Sequence, residues 1–267
     1  MKKTLLSLAM VSLGLVSVPA LALNAATDAQ DVTIQEGAIP GTPTNQVIAD
    51  QLSGQYNEVF STTGPGTFNT LAYFNAGGWF NNTVAQSVYL NSPGTNGYGL
   101  YALFQSNGTF TSSGGSTTFT GTAGSLQLWA DPNQDSTKAL PGSAIGGTIA
   151  NITLGGNGED LLLGTASLLT AANGHSFFGT GANGDFELVF SDWALQASGE
   201  SYFIAPRPFY MVLDLNGNFQ SFDPTSATDI TLPASSANAF FAVPEPGTIA
   251  LLGIGLLGMG MGLRRKA

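Results

Sequence analysis

Short apolar and β-branched runs alternate with clusters of Gly, Asn, Ser and Pro through the middle of this chain. Such segments, bounded by turn residues about every ten positions, predict β-strands. Residues 161–169 could instead form a helical turn or two, and no strong helical period occurs elsewhere between the two ends. The pattern is typical of a β-sandwich or jelly roll. We therefore predict an all-β protein, with a single β-sandwich or jelly-roll-like domain over residues 44–232. The predicted strands are residues 57–61, 67–74, 83–90, 99–106, 125–130, 148–154, 160–169, 186–193, 201–205, 209–215 and 228–232.

The dipeptide Asn-Gly occurs six times and marks many of the predicted turns. It tolerates the positive φ angles of a two-residue hairpin turn, whose twist matches that of the strands it joins. We predict a hairpin over residues 99–119 that turns at Asn107-Gly108. A second hairpin is predicted over residues 209–222, with its turn at Asn216-Gly217.

Three stretches of small and polar residues are predicted to lie outside regular strands. Residues 23–43 contain two prolines and are expected to form a lead-in segment. Residues 111–118 are a low-complexity Ser/Gly/Thr loop, and residues 233–243 begin with Pro-Ala-Ser-Ser-Ala-Asn and are expected to form a linker. Such compositions favour flexible connections over packed elements.

The N-terminus has the three parts of a secretory signal. Lys2-Lys3 is a basic start, residues 5–18 are apolar, and Ala20-Leu21-Ala22 is a small-x-small cleavage site. Residues 1–22 are therefore predicted to be a signal peptide that is removed on export, and not part of the fold.

The C-terminus, residues 244–267, also has three parts: the rigid sequence Pro244, Glu245 and Pro246, an apolar run over 248–263, and the basic residues Arg264, Arg265 and Lys266. As a helix the apolar run would rise roughly 22 Å, less than the ~30 Å hydrocarbon core of a bilayer. Basic residues stay in the cytoplasm, so the body of the protein would lie on the far side of the membrane. An ordinary C-terminal membrane anchor would show the same pattern.

This tail closely resembles the PEP-CTERM sorting signal of exported bacterial proteins, which a membrane-bound exosortase recognises and processes. Residues 128–135 and 185–223 of the body further resemble flocculation-associated PEP-CTERM proteins. The resemblance implies export through the inner membrane, transient membrane attachment through the C-terminal helix, and then a location at the cell surface or in the extracellular matrix. It also implies association with exopolysaccharide, and it carries over no catalytic residues.

Charge and cysteine content narrow the function classes. All seventeen acidic residues lie between Asp28 and Glu245, where the only basic residues are Lys138 and Arg207, so this part of the chain has a net charge of −15. Such a surface repels nucleic acid and favours divalent cations. The chain has no Cys, so the stability of the exported body must come from burial of its core and not from disulfides.

Candidate catalytic groups are few. His175 is the only histidine and is predicted to lie in a solvated turn; there is no G-x-S-x-G elbow, and one His without Cys cannot form a zinc site. Asp185 and Glu187 would share one strand face, as paired carboxylates do in glycosidases. However, Phe186, Leu188 and Phe190 occupy alternate positions of the same strand. Asp185 and Glu187 are therefore explained equally well as the hydrated face of a half-buried strand.

A calcium loop is the one candidate cofactor site. Asp131, Asn133 and Asp135 supply oxygen ligands at loop positions one, three and five. The sequence departs from that loop at Ser136, where Gly is usual, and at Gly142, where a bidentate Glu is usual. A turn that solvates the two aspartates is the alternative interpretation.

These observations predict an exported, non-enzymatic surface or matrix protein that associates with exopolysaccharide and supports flocculation or biofilm formation. Its expected processing partner is exosortase, and no nucleic-acid partner is expected. One alternative is a carbohydrate-binding module with an aromatic-lined site, drawn from Tyr73-Phe74, Trp79-Phe80 and Trp129. Another is a glycoside-active enzyme that uses Asp185 and Glu187.

Overall fold

The structure, a computed structural model, describes residues 29–94, 96–180, 182–207 and 212–242. The predicted signal peptide (1–22) and the sorting segment (244–267) lie outside these residues. The strands are β1 (Val32–Gln35), β2 (Gln46–Ala49), β3 (Gln51–Gly64), β4 (Thr67–Asn81), β5 (Val84–Ala85), β6 (Gly99–Ser113), β7 (Ser116–Asp131), β8 (Thr137–Ala139), β9 (Thr153–Gly155), β10 (Leu161–Ala166), β11 (Leu169–Ser176), β12 (Gly184–Phe190), β13 (Ala194–Leu195), β14 (Phe203–Ala205), β15 (Val212–Phe219) and β16 (Asp229–Ala242). One short helix, α1 (Ala197–Tyr202), and 3-10 turns at Glu36–Ala38 and Ile149–Asn151 complete the elements of the described residues.

Eight antiparallel strands form a closed barrel in the order β11-β12-β15-β16-β3-β4-β6-β7. The barrel closes because β7 is long enough to pair with more than one neighbour: residues Thr117 to Thr120 pair with β11, whereas Leu126 to Ala130 pair with β10. The all-β prediction is confirmed. In the predicted sandwich two sheets would pack face to face, whereas here one sheet closes on itself around the core. Long twisted strands permit this closure.

Two predicted hairpin turns are wrong. Asn107-Gly108 lies within β6 at a bulge, and Asn216-Gly217 lies in the middle of β15. The β6–β7 chain reversal occurs instead at Gly114 and Gly115, whose φ angles are +61° and +84°, inside the stretch predicted as a loop over 111–118. Tertiary packing accounts for Gly217, because a Cβ there would lie 2.7 Å from the ring of Phe186 on the adjacent strand.

The predicted linker over residues 233–243 is also corrected, because β16 continues to Ala242. The register shifts between Leu232 and Ser235, and this irregularity accommodates Pro233, which cannot donate to a ladder. Beyond it, β16 pairs with both β3 and β15 as a full barrel strand. The predicted lead-in segment likewise contains an ordered element, since β1 pairs with β2 and β14.

Each end of the barrel is covered by aromatic side chains. At one end the covering cluster consists of Phe60, Phe68, Phe110, Phe119, Phe219 and Phe222. At the other end the small sheet β14-β1-β2 and helix α1 contribute to the second core cluster, which contains Trp79, Tyr98, Tyr202 and Phe203. The barrel interior therefore lies between two aromatic clusters.

Candidate functional site

An internal cavity of about 150 Å³ lies inside the barrel. Its walls are almost entirely apolar, because alternate residues of each strand point inwards and most of them are Phe, Leu or Ala. Trp193 also lines the cavity, and its buried indole Nε1 has no hydrogen-bond partner among the described residues. The barrel is thus packed at both ends and hollow between them.

Glu58 is the single carboxylate among the described residues that line this cavity. It projects from β3 between Tyr56 and Phe60, which point to the same side of the strand, and it is half-buried. Burial raises the pKa of Glu58 to about 7, and a hydrogen bond from Thr70 partly offsets that rise. The hydroxyl of Thr70 lies 3.0 Å from that of Ser106 on the next strand. A short polar group therefore interrupts an otherwise apolar wall.

A second buried carboxylate, Glu36, has a structural role at the covered end. It has no accessible surface, and it accepts hydrogen bonds from the backbone N–H groups of Tyr89 and Leu90 at 3.2 and 3.3 Å and from the Tyr98 hydroxyl at 3.2 Å. The side chain of Asn45 donates to it at 2.5 Å. This complete set of donors satisfies the carboxylate, as a buried charge requires.

Two of the predicted calcium ligands, Asp131 and Asp135, lie beside a third carboxylate. Carboxylate oxygens of Asp131, Asp135 and Glu159 lie within 4.8 Å of one another, and Asn133, between the two aspartates in sequence, is exposed. Asp131 also accepts the backbone N–H groups of Asp135 and Ser136, so it organises its own loop. Glu159 was not found from sequence because it lies two strands further along the chain. Calcium binding here stays a prediction.

Beside this acidic group, on the outside of the barrel, lies an aromatic pair in which Trp129 is partly exposed and Tyr101 is buried. Trp129 stacks parallel to Tyr101, with ring centroids 6.4 Å apart, and the Lys138 ammonium lies 4.2 Å from the centre of the Tyr101 ring. The Tyr101 hydroxyl donates to Asp160 at 2.5 Å. Of the other aromatic residues considered from sequence, Trp79 is fully buried and Phe74 lines the cavity, so neither presents a face to a sugar.

Asp185 and Glu187 are both exposed on the outer face of β12, as the alternation predicts, while Phe186 lines the cavity. His175 lies within strand β11 and not in a turn, and its Nδ1 is 2.8 Å from the Asp185 carboxylate. A third outer carboxyl, Asp214, is buried on β15. Burial and the nearby charge of Glu187 raise the pKa of Asp214 to about 7. The structure thus places Asp185 and Glu187 on the exposed outer surface of the barrel, whereas Asp214 is buried.

Comparisons with known proteins concern the C-terminus. Residues 242–266 match the PEP-CTERM protein-sorting motif, which includes Pro244, Glu245 and Pro246 and the basic residues from Arg264 to Lys266. No curated protein and no solved structure matches the chain.

Within the residues that the structure describes, no helix is long and apolar enough to cross a membrane.

Proposed function

We propose that this protein, which the PEP-CTERM motif indicates to be sorted by exosortase to the cell surface or extracellular space, associates there with exopolysaccharide and supports flocculation or biofilm formation without catalysing a reaction. The observation that carries the proposal is the sorting motif at residues 242–266. The motif indicates the location of the body of the protein, and the charge of that body then suggests how it acts there.

The charge of the body supports a matrix role. Seventeen acidic residues lie between Asp28 and Glu245 and only two basic ones, so the exported domain stays hydrated and can share divalent cations with acidic polysaccharide. The cluster of Asp131, Asp135 and Glu159 is one place where such a cation would lie between protein and polymer.

Sorting is tested on the C-terminus itself. The wild-type protein is expected to leave the membrane fraction and to lack the basic terminus when its mass is mapped, whereas Pro244→Ala/Glu245→Ala/Pro246→Ala is expected to remain an intact membrane-held precursor. Arg207→Lys, in the body, is the matched control and is expected to be processed normally. Release of the triple variant in shortened form at wild-type yield would refute the role of the motif.

The matrix role is tested separately by deletion. Cells that lack the protein are expected to flocculate poorly, and the wild-type gene is expected to restore flocculation. Complementation by Glu187→Gln at the wild-type level supports a non-enzymatic role. Loss of a glycoside-cleaving activity in Glu187→Gln would instead favour the enzyme.

A discrete carbohydrate-binding site is the second candidate, and the partial exposure of Trp129 favours it. Aromatic faces stack on sugar rings, and the nearby Lys138 and Asp160 offer polar contacts. A glycan array that shows one tight ligand for the wild type, lost in Trp129→Ala and retained in Phe80→Ala, would support this candidate.

A further inference from the structure

The barrel cavity has the features of a ligand site that is independent of the proposed matrix role. Eight-stranded barrels are just wide enough either to fill with side chains or to hold one small ligand. Here, small residues such as Ala72, Ala102 and Ala172 line the wall where larger ones would fill it. A volume of about 150 Å³ equals that of protein cavities that accommodate benzene.

The wall chemistry specifies the ligand further. A carboxylate in the wall of an apolar cavity destabilises the fold, since burial penalises its charged form, so it is not expected in a cavity without a function. Glu58 nevertheless lines the cavity, where Thr70 donates a hydrogen bond to it. The carboxylate can accept further hydrogen bonds, and a cationic donor would offset its desolvation.

The other polar groups that line the cavity do not neutralise the Glu58 carboxylate. The only other titratable side chains among the described lining residues are Tyr56 and Tyr73, and neither carries a positive charge. Among the described residues, no cation therefore neutralises Glu58 inside the barrel.

The geometry points to a binding site for one small aromatic or branched aliphatic amine inside the barrel, with its apolar body among the Phe and Leu side chains and its ammonium group on the Glu58 carboxylate. The size of the cavity limits the ligand to about the dimensions of a single six-membered ring. Glu58 provides the selectivity for amines over hydrocarbons of the same shape.

The test uses benzylamine, benzyl alcohol and toluene as probes of one shape with different donors, titrated at pH 8 into the processed protein recovered from the exporting cells. Benzylamine is expected to bind at least tenfold more tightly than toluene. In Glu58→Gln this preference is expected to fall below twofold, with the affinity for toluene unchanged within twofold. Glu187→Gln, the same substitution on the outer face, is the matched control and is expected to keep the full preference.

Two further measurements locate the site and keep the test decisive if Glu58→Gln does not fold. Ala172→Leu, which fills the cavity without changing its charge, is expected to weaken all three probes at least tenfold. In the wild type, the affinity for benzylamine is expected to fall as the pH is lowered from 8 to 6, while that for toluene stays constant. Absence of benzylamine binding to the folded wild type, or equal affinities for benzylamine and toluene at pH 8, would overturn the inference.

Discussion

The indole Nε1 of Trp79 donates a hydrogen bond to the hydroxyl of Tyr202, 2.9 Å away, and neither side chain has accessible surface. Trp79 belongs to the barrel strand β4, whereas Tyr202 ends helix α1 in the cover. The Tyr202 hydroxyl also lies 2.7 Å from that of Tyr98, which donates in turn to Glu36. One buried polar chain thus joins the barrel wall to the elements that cover its end.

Tyr202→Phe is expected to lower the free energy of unfolding by about 1–3 kcal/mol, because it leaves the buried indole N–H of Trp79 without an acceptor. Urea unfolding at constant pH measures the change. Tyr89→Phe, which removes a hydroxyl from a partly exposed ring, is the control and is expected to change stability by less than about 0.5 kcal/mol. Equal effects of the two substitutions would show that the buried chain contributes no stability.

Glu36→Ala is expected to be more damaging, with a loss of about 3–5 kcal/mol, because it leaves several buried donors unpaired at once. These donors include the backbone N–H groups of Tyr89 and Leu90. Asp50→Ala, at a carboxylate that accepts one exposed N–H from Asn82, is the comparison and is expected to cost about 1 kcal/mol or less. Chemical denaturation measures both losses. A larger loss of unfolding free energy in Asp50→Ala than in Glu36→Ala would contradict the stabilising role of Glu36.

The buried carboxyls predict a pH dependence of stability. The folded-state pKa of Glu58 is raised from 4.5 to about 7, and that of Asp214 from 3.8 to about 7. Each group therefore contributes stability that is fully present below its unfolded pKa and is lost as the pH rises through its folded pKa. The free energy of unfolding is expected to decrease between about pH 4 and pH 7 on account of these two groups, by roughly 1.4 kcal/mol per unit of pKa shift.

Neutral variants isolate this effect. Glu58→Gln is expected to reduce the decrease, and Glu58→Gln/Asp214→Asn is expected to remove most of it. Glu187→Gln, at an exposed carboxylate, is expected to leave the Glu58 contribution in place. Wild-type stability that rises steadily from pH 4 to pH 7, with the same slope in Glu58→Gln, would contradict the raised pKa of Glu58.

The acidic cluster of Asp131, Asp135 and Glu159 is a candidate calcium site in which Glu159 was not expected from the sequence. If calcium binds, millimolar Ca²⁺ is expected to raise the melting temperature of the wild type. Glu159→Gln is expected to abolish the shift, because Glu159 shares the cluster with Asp131 and Asp135, whereas Glu187→Gln, at an exposed carboxylate outside the cluster, is expected to retain it. Identical melting curves with Ca²⁺ and with chelator would show that calcium does not stabilise this protein.

Two Asn-Gly glycines in different settings test the role of close packing. In Gly217→Ala the new Cβ would lie 2.3 Å from the Ser236 carbonyl oxygen and 2.7 Å from the Phe186 ring, so a loss of about 2 kcal/mol or more is expected. Nothing lies within 4 Å of the corresponding Cβ at Gly158, so Gly158→Ala is expected to be neutral or slightly stabilising. Thermal unfolding compares them, and a neutral Gly217→Ala would contradict the close packing.

What the sequence by itself determined is local or terminal. Alternation placed Phe186 inside and Asp185 and Glu187 outside on one strand, since side chains alternate between the two faces of a sheet whatever its neighbours are. The sorting motif was also recognisable, because its three parts are contiguous. The hairpin turns failed because Asn-Gly is favourable in a turn but is equally suited to a strand where a neighbouring ring or backbone needs the space, as at Gly217.

Only the tertiary structure decided that the sheet closes. Closure depends on β7 pairing with both β6 and β11, and pairing between strands distant in sequence leaves no periodic signal in either one. The roles of Glu36 and Glu58 follow from the same cause. In a strand or a turn, a carboxylate looks from sequence like a solvent-facing residue. Burial in the barrel makes Glu58, on β3, a candidate ligand contact, and burial in the cover makes Glu36, in a 3-10 turn, an acceptor for several buried donors.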